Sequence, residues 1–183
     1  RIATLDLALS DEFPPDGRQI SQQDFAVNLK KRAKNTHKGS FGNAGILGGG
    51  KSMVGAALLA GRAAIKLGAG RVYLGLLDAD APGVDLLQPE LMLRHADTLL
   101  AADLCALACG PGLGQSDEAS RLLEQAIKAP LALVLDADAL NILAGDGLLQ
   151  GNLSKRIGPV ILTPHPAEAA RLLGCSVPEI QAD

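Results

Sequence analysis

Four short stretches of this sequence hold residues able to do chemistry, and each follows an apolar run. Ala44–Leu47 leads into Gly48-Gly49-Gly50, and Leu104–Cys109 leads into Gly110-Pro111-Gly112-Leu113-Gly114. Leu131–Leu135 leads into Asp136-Ala137-Asp138-Ala139-Leu140-Asn141, and Val160–Leu162 into Thr163-Pro164-His165-Pro166. Glycine lets a ligand approach the backbone closely, and amides opening a following helix favour phosphate. A carboxylate such as Asp136, at the end of an apolar strand, needs an amide, a cation or a ligand as partner. His165 is held between two prolines in an extended, rigid loop.

Each stretch also has a plainer reading. Gly110–Gly114 suits a tight strand-to-helix turn, and Asp138 suits an N-cap for a helix through Leu140–Leu143. A lone histidine is usually structural. Pro166 with Glu168 makes a good first helical turn, where an acid favours the positive helix end. Taken singly, none of these stretches decides the function.

One motif match is rejected. Gly45-Ile46-Leu47-Gly48-Gly49-Gly50-Lys51-Ser52 fits the phosphate-loop pattern Gly-x-x-x-x-Gly-Lys-Ser/Thr to the letter. That pattern needs a strand before its first glycine, and His37–Ala44 is no apolar strand. The pair Ile46-Leu47 reads better as the strand itself.

The elements that must position these loops follow an alternating rhythm. Candidate strands are Ala44–Leu47, Arg71–Leu77, Leu104–Cys109, Leu131–Leu135 and Val160–Leu162. Helical periodicity appears over Val54–Leu67, Glu118–Lys128, Ala139–Ala144 and Ala167–Leu173. Strands apolar on both faces, alternating with helices, predict an α/β layered fold with a mostly parallel sheet. In such sheets ligands collect at the carboxyl ends of the strands. Residues 1–36 read as a linker, opening with a possible strand over Ile2–Leu9 and a turn at Pro14-Pro15-Asp16-Gly17. A start at Arg1 without an initiator Met suggests a longer polypeptide.

Composition narrows the function further. The 183 residues are 48% hydrophobic, with a formal net charge of −3. That balance gives no reason to expect nucleic acid, and 2% aromatics leave no base-stacking platform. No apolar stretch reaches the length of a membrane span. Cys105, Cys109 and Cys175 form no Cys-x-x-Cys pair, read as small buried or incidental residues, and suit a reducing cytoplasm. No metal site is expected from them.

Read in order, the segments resemble the ADP- or ATP-dependent NAD(P)H-hydrate dehydratases. The carriers are His37-Lys38-Gly39-Ser40-Phe41-Gly42, the Gly48–Gly50 turn, Gly55-Ala56-Ala57-Leu58-Leu59-Ala60 and Leu67-Gly68-Ala69-Gly70-Arg71-Val72. Gly110–Gly114, Asp136–Asn141 and Thr163-Pro164-His165-Pro166-Ala167-Glu168 follow in the family's order. The resemblance covers residues 37 to 175. It implies a ribokinase-like three-layer fold, with residues 37–183 the N-terminal part of the dehydratase domain and residues 1–36 the tail of a preceding epimerase-like domain. It also implies removal of water from the S-form of hydrated NADH or NADPH, by phosphorylation of the ring hydroxyl and elimination of phosphate. ADP or ATP with Mg2+ would be consumed, in the cytoplasm, by a homo-oligomer.

The resemblance assigns Ala56, Gly112 and His165 to the hydrated nucleotide, with Gly112 offering a bare backbone and His165 a directional hydrogen bond. Glu168 resembles the superfamily's Asn-x-x-Glu element for magnesium and phosphate, although His165 stands where its Asn would be. Asp136 is assigned to the same phosphate region. Ala167 departs from the family, which usually has Gly after His-Pro. The family's Gly-Ser/Thr-Gly-Asp loop, with its catalytic Asp, is expected beyond Asp183, so the catalytic residue is not named. A C-terminally truncated chain of this kind is expected to be inactive alone and to expose an open sheet edge. Two other readings stay open: a ribokinase-like kinase of a small hydroxymethyl compound, and an inert nucleotide-binding fragment.

Overall fold

A computed structural model describes residues 21–26 and 35–182. The chain divides into two units, residues 1–36 and 37–183. In the first, α1 (Gln22–Phe25) opens on Ser21, whose backbone N–H donates to Asp24 Oδ2 at 2.7 Å. The possible strand over Ile2–Leu9 lies outside the described residues.

The second unit holds six strands: β1 (Asn43–Gly48), β2 (Arg71–Leu76), β3 (Met92–His95), β4 (Ala106–Cys109), β5 (Ala132–Leu135) and β6 (Val160–Leu162). They form one sheet in the order β3-β2-β1-β4-β5-β6, and every neighbouring pair is parallel. Between and after them run α2 (Val54–Leu67), α3 (Asp117–Lys128), α4 (Asp138–Gly145), α5 (Gly147–Ser154), α6 (Pro166–Leu173) and α7 (Val177–Ala182). Gly45, Ile46 and Leu47 lie inside β1, which disposes of the phosphate-loop reading.

Side chains alternate across a strand, so the sheet feeds two cores. Ile46 packs with Val72, Leu74 and Ala57 of α2, while Leu47 packs with Leu107, Leu122 of α3 and Leu140 of α4. Helix α3 explains its own seat. Ala119, Leu122, Leu123, Ala126 and Ile127 recur at helical spacing, and all five are buried. Ser116 caps its start by accepting from the Ala119 amide at 3.2 Å, and Asp117 and Glu118 follow at its positive end.

Strand β3 and helix α5, among the elements absent from the sequence reading, escaped it for clear reasons. Strand β3 is a four-residue edge strand carrying Arg94 and His95, too short and too charged to show an apolar run. Helix α5 holds Gly147 and Gly151 and buries only Leu149, so its periodicity is faint. At the far edge, β6 leaves Ile161 60% and Leu162 40% exposed, and its outer side has no partner strand among the described residues. No helix among these residues is long and apolar enough to cross a membrane.

Arg62 of α2 holds the loop before β3 through a two-pronged ion pair with Asp85, both contacts at 2.7 Å. Asp85 is buried, and the Arg62 hydrogen bonds hold its carboxyl below the usual range. A depressed folded-state value stabilises the fold above the unfolded carboxyl's value and is lost as pH falls through the folded one. Asp85→Asn should therefore lower Tm at neutral pH, and the gap to wild type should close on acidification below about pH 4. A gap that stays constant from neutral to acid pH contradicts this account.

Candidate functional site

The strand order reverses direction of travel between β1 and β4, the place where an open parallel sheet parts its loops and leaves a crevice. The two glycine stretches flank that crevice. Gly49 N–H donates to Pro111 O at 3.0 Å and Gly50 N–H to Gly112 O at 2.6 Å, so the two loops are stitched backbone to backbone. The stitching demands glycine: a Cβ on Gly48 would stand 2.1 Å from Pro111 O.

The same lacing continues along the rim in both directions. On one side Asp78 N–H, after β2, donates to Gly49 O at 3.0 Å. On the other, Gly114 N–H donates to Asp138 Oδ2 at 2.8 Å, and Thr163 Oγ1 donates to Asp136 Oδ1 at 2.8 Å. Five successive loops are thus tied into one ledge at the carboxyl end of the sheet.

Ala56 and Gly112 come together here. Gly112 adopts φ +61°, and a Cβ on it would lie 3.2 Å from Ala56 Cβ and 2.6 Å from Met53 O. Met53 is the N-cap of α2 and offers no side-chain acceptor; the Ala56 amide donates to Met53 O at 3.1 Å, which leaves those of Val54 and Gly55 to meet an anion. Beside them a recess is lined by Gly50, Lys51, Met53, Leu113 and Gly114.

Asp136 keeps one carboxylate oxygen for Thr163 and leaves Oδ2 without a partner among the described residues. Asp138 corrects the capping expectation. The N-cap of α4 is Ala137, at a positive φ of 47°, and Asp138 turns its carboxylate to Gly114 instead. A non-glycine residue held there costs about 1–3 kcal/mol, which the ledge contacts must offset.

His165 lies further along, beyond β5, after the edge strand β6, and is not brought against Ala56 and Gly112. It is the N-cap of α6: its Nδ1 accepts from the amides of Ala167 and Glu168 at 3.1 and 3.4 Å. Glu168, buried, accepts from the His165 backbone N–H at 2.9 Å and sets Oε1 3.2 Å from His165 Nε2. Both Glu168 oxygens therefore face His165. Ala167 stands inside the helix start, where a side chain is accommodated.

The His37–Gly42 segment behaves differently from the other motifs. Gly70 N–H, just before β2, donates to Gly42 O at 3.0 Å, and a Cβ on Gly70 would meet Lys38 O. This segment braces the amino ends of β1 and β2, away from the ledge. Cys109 ends β4 fully buried, and burial pushes its thiol up to about 12, so it is inert as a nucleophile. Of the other two cysteines, read as buried or incidental, Cys105 is exposed and Cys175 half-buried. Asp78 escaped the sequence reading, because Leu77-Asp78 looks like an ordinary strand end.

Comparison with known proteins adds the following. A family profile described as NAD(P)H-hydrate dehydratase matches residues 44–183. An ADP-dependent (S)-NAD(P)H-hydrate dehydratase of Neisseria meningitidis is 44% identical, over 87% of this chain and 55% of the relative. A bifunctional NAD(P)H-hydrate repair enzyme of Coxiella burnetii is 42% identical, over 97% of this chain and 37% of the relative. The crystal structure of the Bacillus subtilis ADP/ATP-dependent NAD(P)H-hydrate dehydratase, co-crystallized with ATP/Mg2+, superimposes with a TM-score of 0.72 at 33% identity. That match covers 89% of this chain and 58% of the other. The chain spans little more than half, or less, of the lengths of these relatives.

Proposed function

The chain belongs to the NAD(P)H-hydrate dehydratase family, and from that membership we propose that it forms the substrate-binding part of an enzyme that returns hydrated NAD(P)H to NAD(P)H. The observation that carries the reading is the laced ledge at the β1/β4 crevice, where Ala56 meets Gly112. Open amides at the start of α2 suit the pyrophosphate of a dinucleotide. Bare backbone at Gly112 lets a flat ring lie close.

The Neisseria meningitidis relative is named as ADP-dependent and the Bacillus subtilis one as ADP/ATP-dependent, and a bound nucleotide would supply the phosphoryl group that makes the ring hydroxyl a leaving group. Asp136, with Oδ2 unengaged at the end of β5, suits the magnesium that accompanies such a phosphate, since magnesium takes one or two carboxylates and phosphate oxygens. Glu168 fits a positioning role better, because it fixes the His165 loop through both its oxygens. His165, whose two ring nitrogens meet the α6 amides and Glu168, is proposed to offer the exposed part of its ring, 59% of the side chain, to the substrate. We read residues 1–36 as a linker to a preceding domain, and the working enzyme as a cytoplasmic homo-oligomer.

The test is recovery of the dihydronicotinamide absorbance from hydrated NADH and NADPH, with ADP or ATP and Mg2+, using the full-length protein. Recovery dependent on nucleotide is expected. Absence of recovery from folded protein, together with phosphate transfer to a small hydroxymethyl compound, would replace this reading with the kinase.

A further inference from the structure

Beside the cleft where Ala56 meets Gly112 lies the recess walled by Gly50, Lys51, Met53, Leu77, Leu113 and Glu118, with a volume of about 330 Å³. We propose that this recess seats the adenine end of the hydrated dinucleotide, with Lys51 at the pyrophosphate. The inference rests on the dehydratase reading above and extends it from the reacting ring to the far half of the substrate.

Continuity with the cleft is the first support. The Met53 side chain runs between the two: its Cβ lies 2.8 Å from where a Gly112 Cβ would be, and its Cε 3.9 Å from where a Gly114 Cβ would be. Gly50, at the recess, donates its N–H to Gly112 O. A dinucleotide whose ring lies against Gly112 therefore has an adjoining space for its other end. The volume falls within the range of small-ligand sites, about 300–1,000 Å³.

The lining suits a purine and the phosphates that lead to it. Leu77 is half-buried and Leu113 buried, which gives apolar walls, and the Met53 thioether makes favourable contacts with an aromatic ring. Lys51 is exposed and has no ion-pair partner among the described residues. Val54 and Gly55, whose amides open α2, follow within four residues, which brings cation and helix start to the same phosphates. Glu118, with Oε1 4.0 Å from Arg121 Nη2, adds a carboxylate able to accept from the adenine amino group.

Position favours the substrate over the phosphoryl donor. Asp136, proposed above for the magnesium of the donor's phosphate, follows β5, and β4 stands between β5 and β1. The recess reaches the other way, to Leu77 after β2. A ring held between them is approached by the phosphoryl group from the β5 side. Its own adenosine half is left to the β2 side.

The experiment measures kcat/KM, with the full-length protein, for hydrated NADH and for the hydrate of reduced nicotinamide mononucleotide, which lacks the adenosine half. Wild type should favour the dinucleotide by about a hundredfold, because binding of the remote half helps to align the reacting ring. Lys51→Gln removes the cation, and Glu118→Trp fills the recess from an exposed position in the first turn of α3. Each should lower that preference about tenfold, at a Tm close to that of wild type. Equal use of the two substrates by wild type, or a preference unmoved in both variants, overturns the proposal and leaves the dehydratase reading in place. A rise in KM for ADP with the preference unmoved assigns the recess to the phosphoryl donor and overturns the proposal as well. Failure of wild type to turn over either hydrate would instead remove the reading on which it rests.

Discussion

Gly110→Ala should cost the protein about 4 kcal/mol or more, enough to leave it unfolded or insoluble at ordinary temperatures. Gly110 sits at φ +129°, a conformation open to glycine alone, and a Cβ there would fall 1.8 Å from Asp136 O and 3.0 Å from Ala139 Cβ. The first of these is backbone at the end of β5, so no rotamer change relieves it. Gly110 N–H also donates to Leu47 O at 3.0 Å, which joins β1 to the β4 loop. Pushing the loops apart would break the ledge at its centre. Urea unfolding measures the loss, with Gly151→Ala as the control. That glycine lies inside α5 with open space around it, and alanine there should stabilise by about 0.5–1 kcal/mol. A Gly110→Ala protein within about 1 kcal/mol of wild type would contradict the packing described.

Ala56→Leu should leave the fold almost untouched and lower kcat/KM for the hydrated dinucleotide about a hundredfold. Position 56 lies in the first turn of α2, half-buried, and leucine is a good helix former. Its extra carbons would extend from a Cβ that already lies close to Gly112, over the surface where the ring is proposed to sit. A bound ring displaced by even an ångström loses its alignment with the reacting groups. The readout pairs Tm with steady-state kinetics on the hydrate. Unchanged Tm with activity within threefold of wild type would place the substrate elsewhere on the ledge or off it.

The layered α/β order was legible because five strands show as apolar runs and four helices as clean periodicity. Val54–Leu67 matches α2 end to end. What stayed hidden was hidden for physical reasons. Strand β3 is stabilised by pairing with β2 through Tyr73 to Leu76, a tertiary fact that no local pattern reports. The loops after β1, β4, β5 and β6 could be singled out by their glycines, acids and prolines, yet their lacing could not. Asp138 looks like an N-cap in sequence, and only the proximity of Gly114 diverts it. His165 carried both readings at once: its ring caps α6, the structural role, and remains over half exposed for the proposed substrate contact. The converse holds for His37–Gly42, which reads as part of the same signature and braces the opposite end of the sheet.

The central position of β1 has a consequence for how the chain acquires its shape. Its inner partner β2 follows closely, but its other partner, β4, comes about 60 residues later, with Ala44 aligned to Ala106. Parallel pairing at such separation must first close a long loop, so the sheet assembles late and slowly relative to its helices. On the ribosome, at roughly 5–20 residues per second, one side of β1 waits several seconds for its neighbour. Gly45 and Gly48, which admit Leu104 and Pro111 against the finished sheet, also make that waiting edge a poor template for other chains.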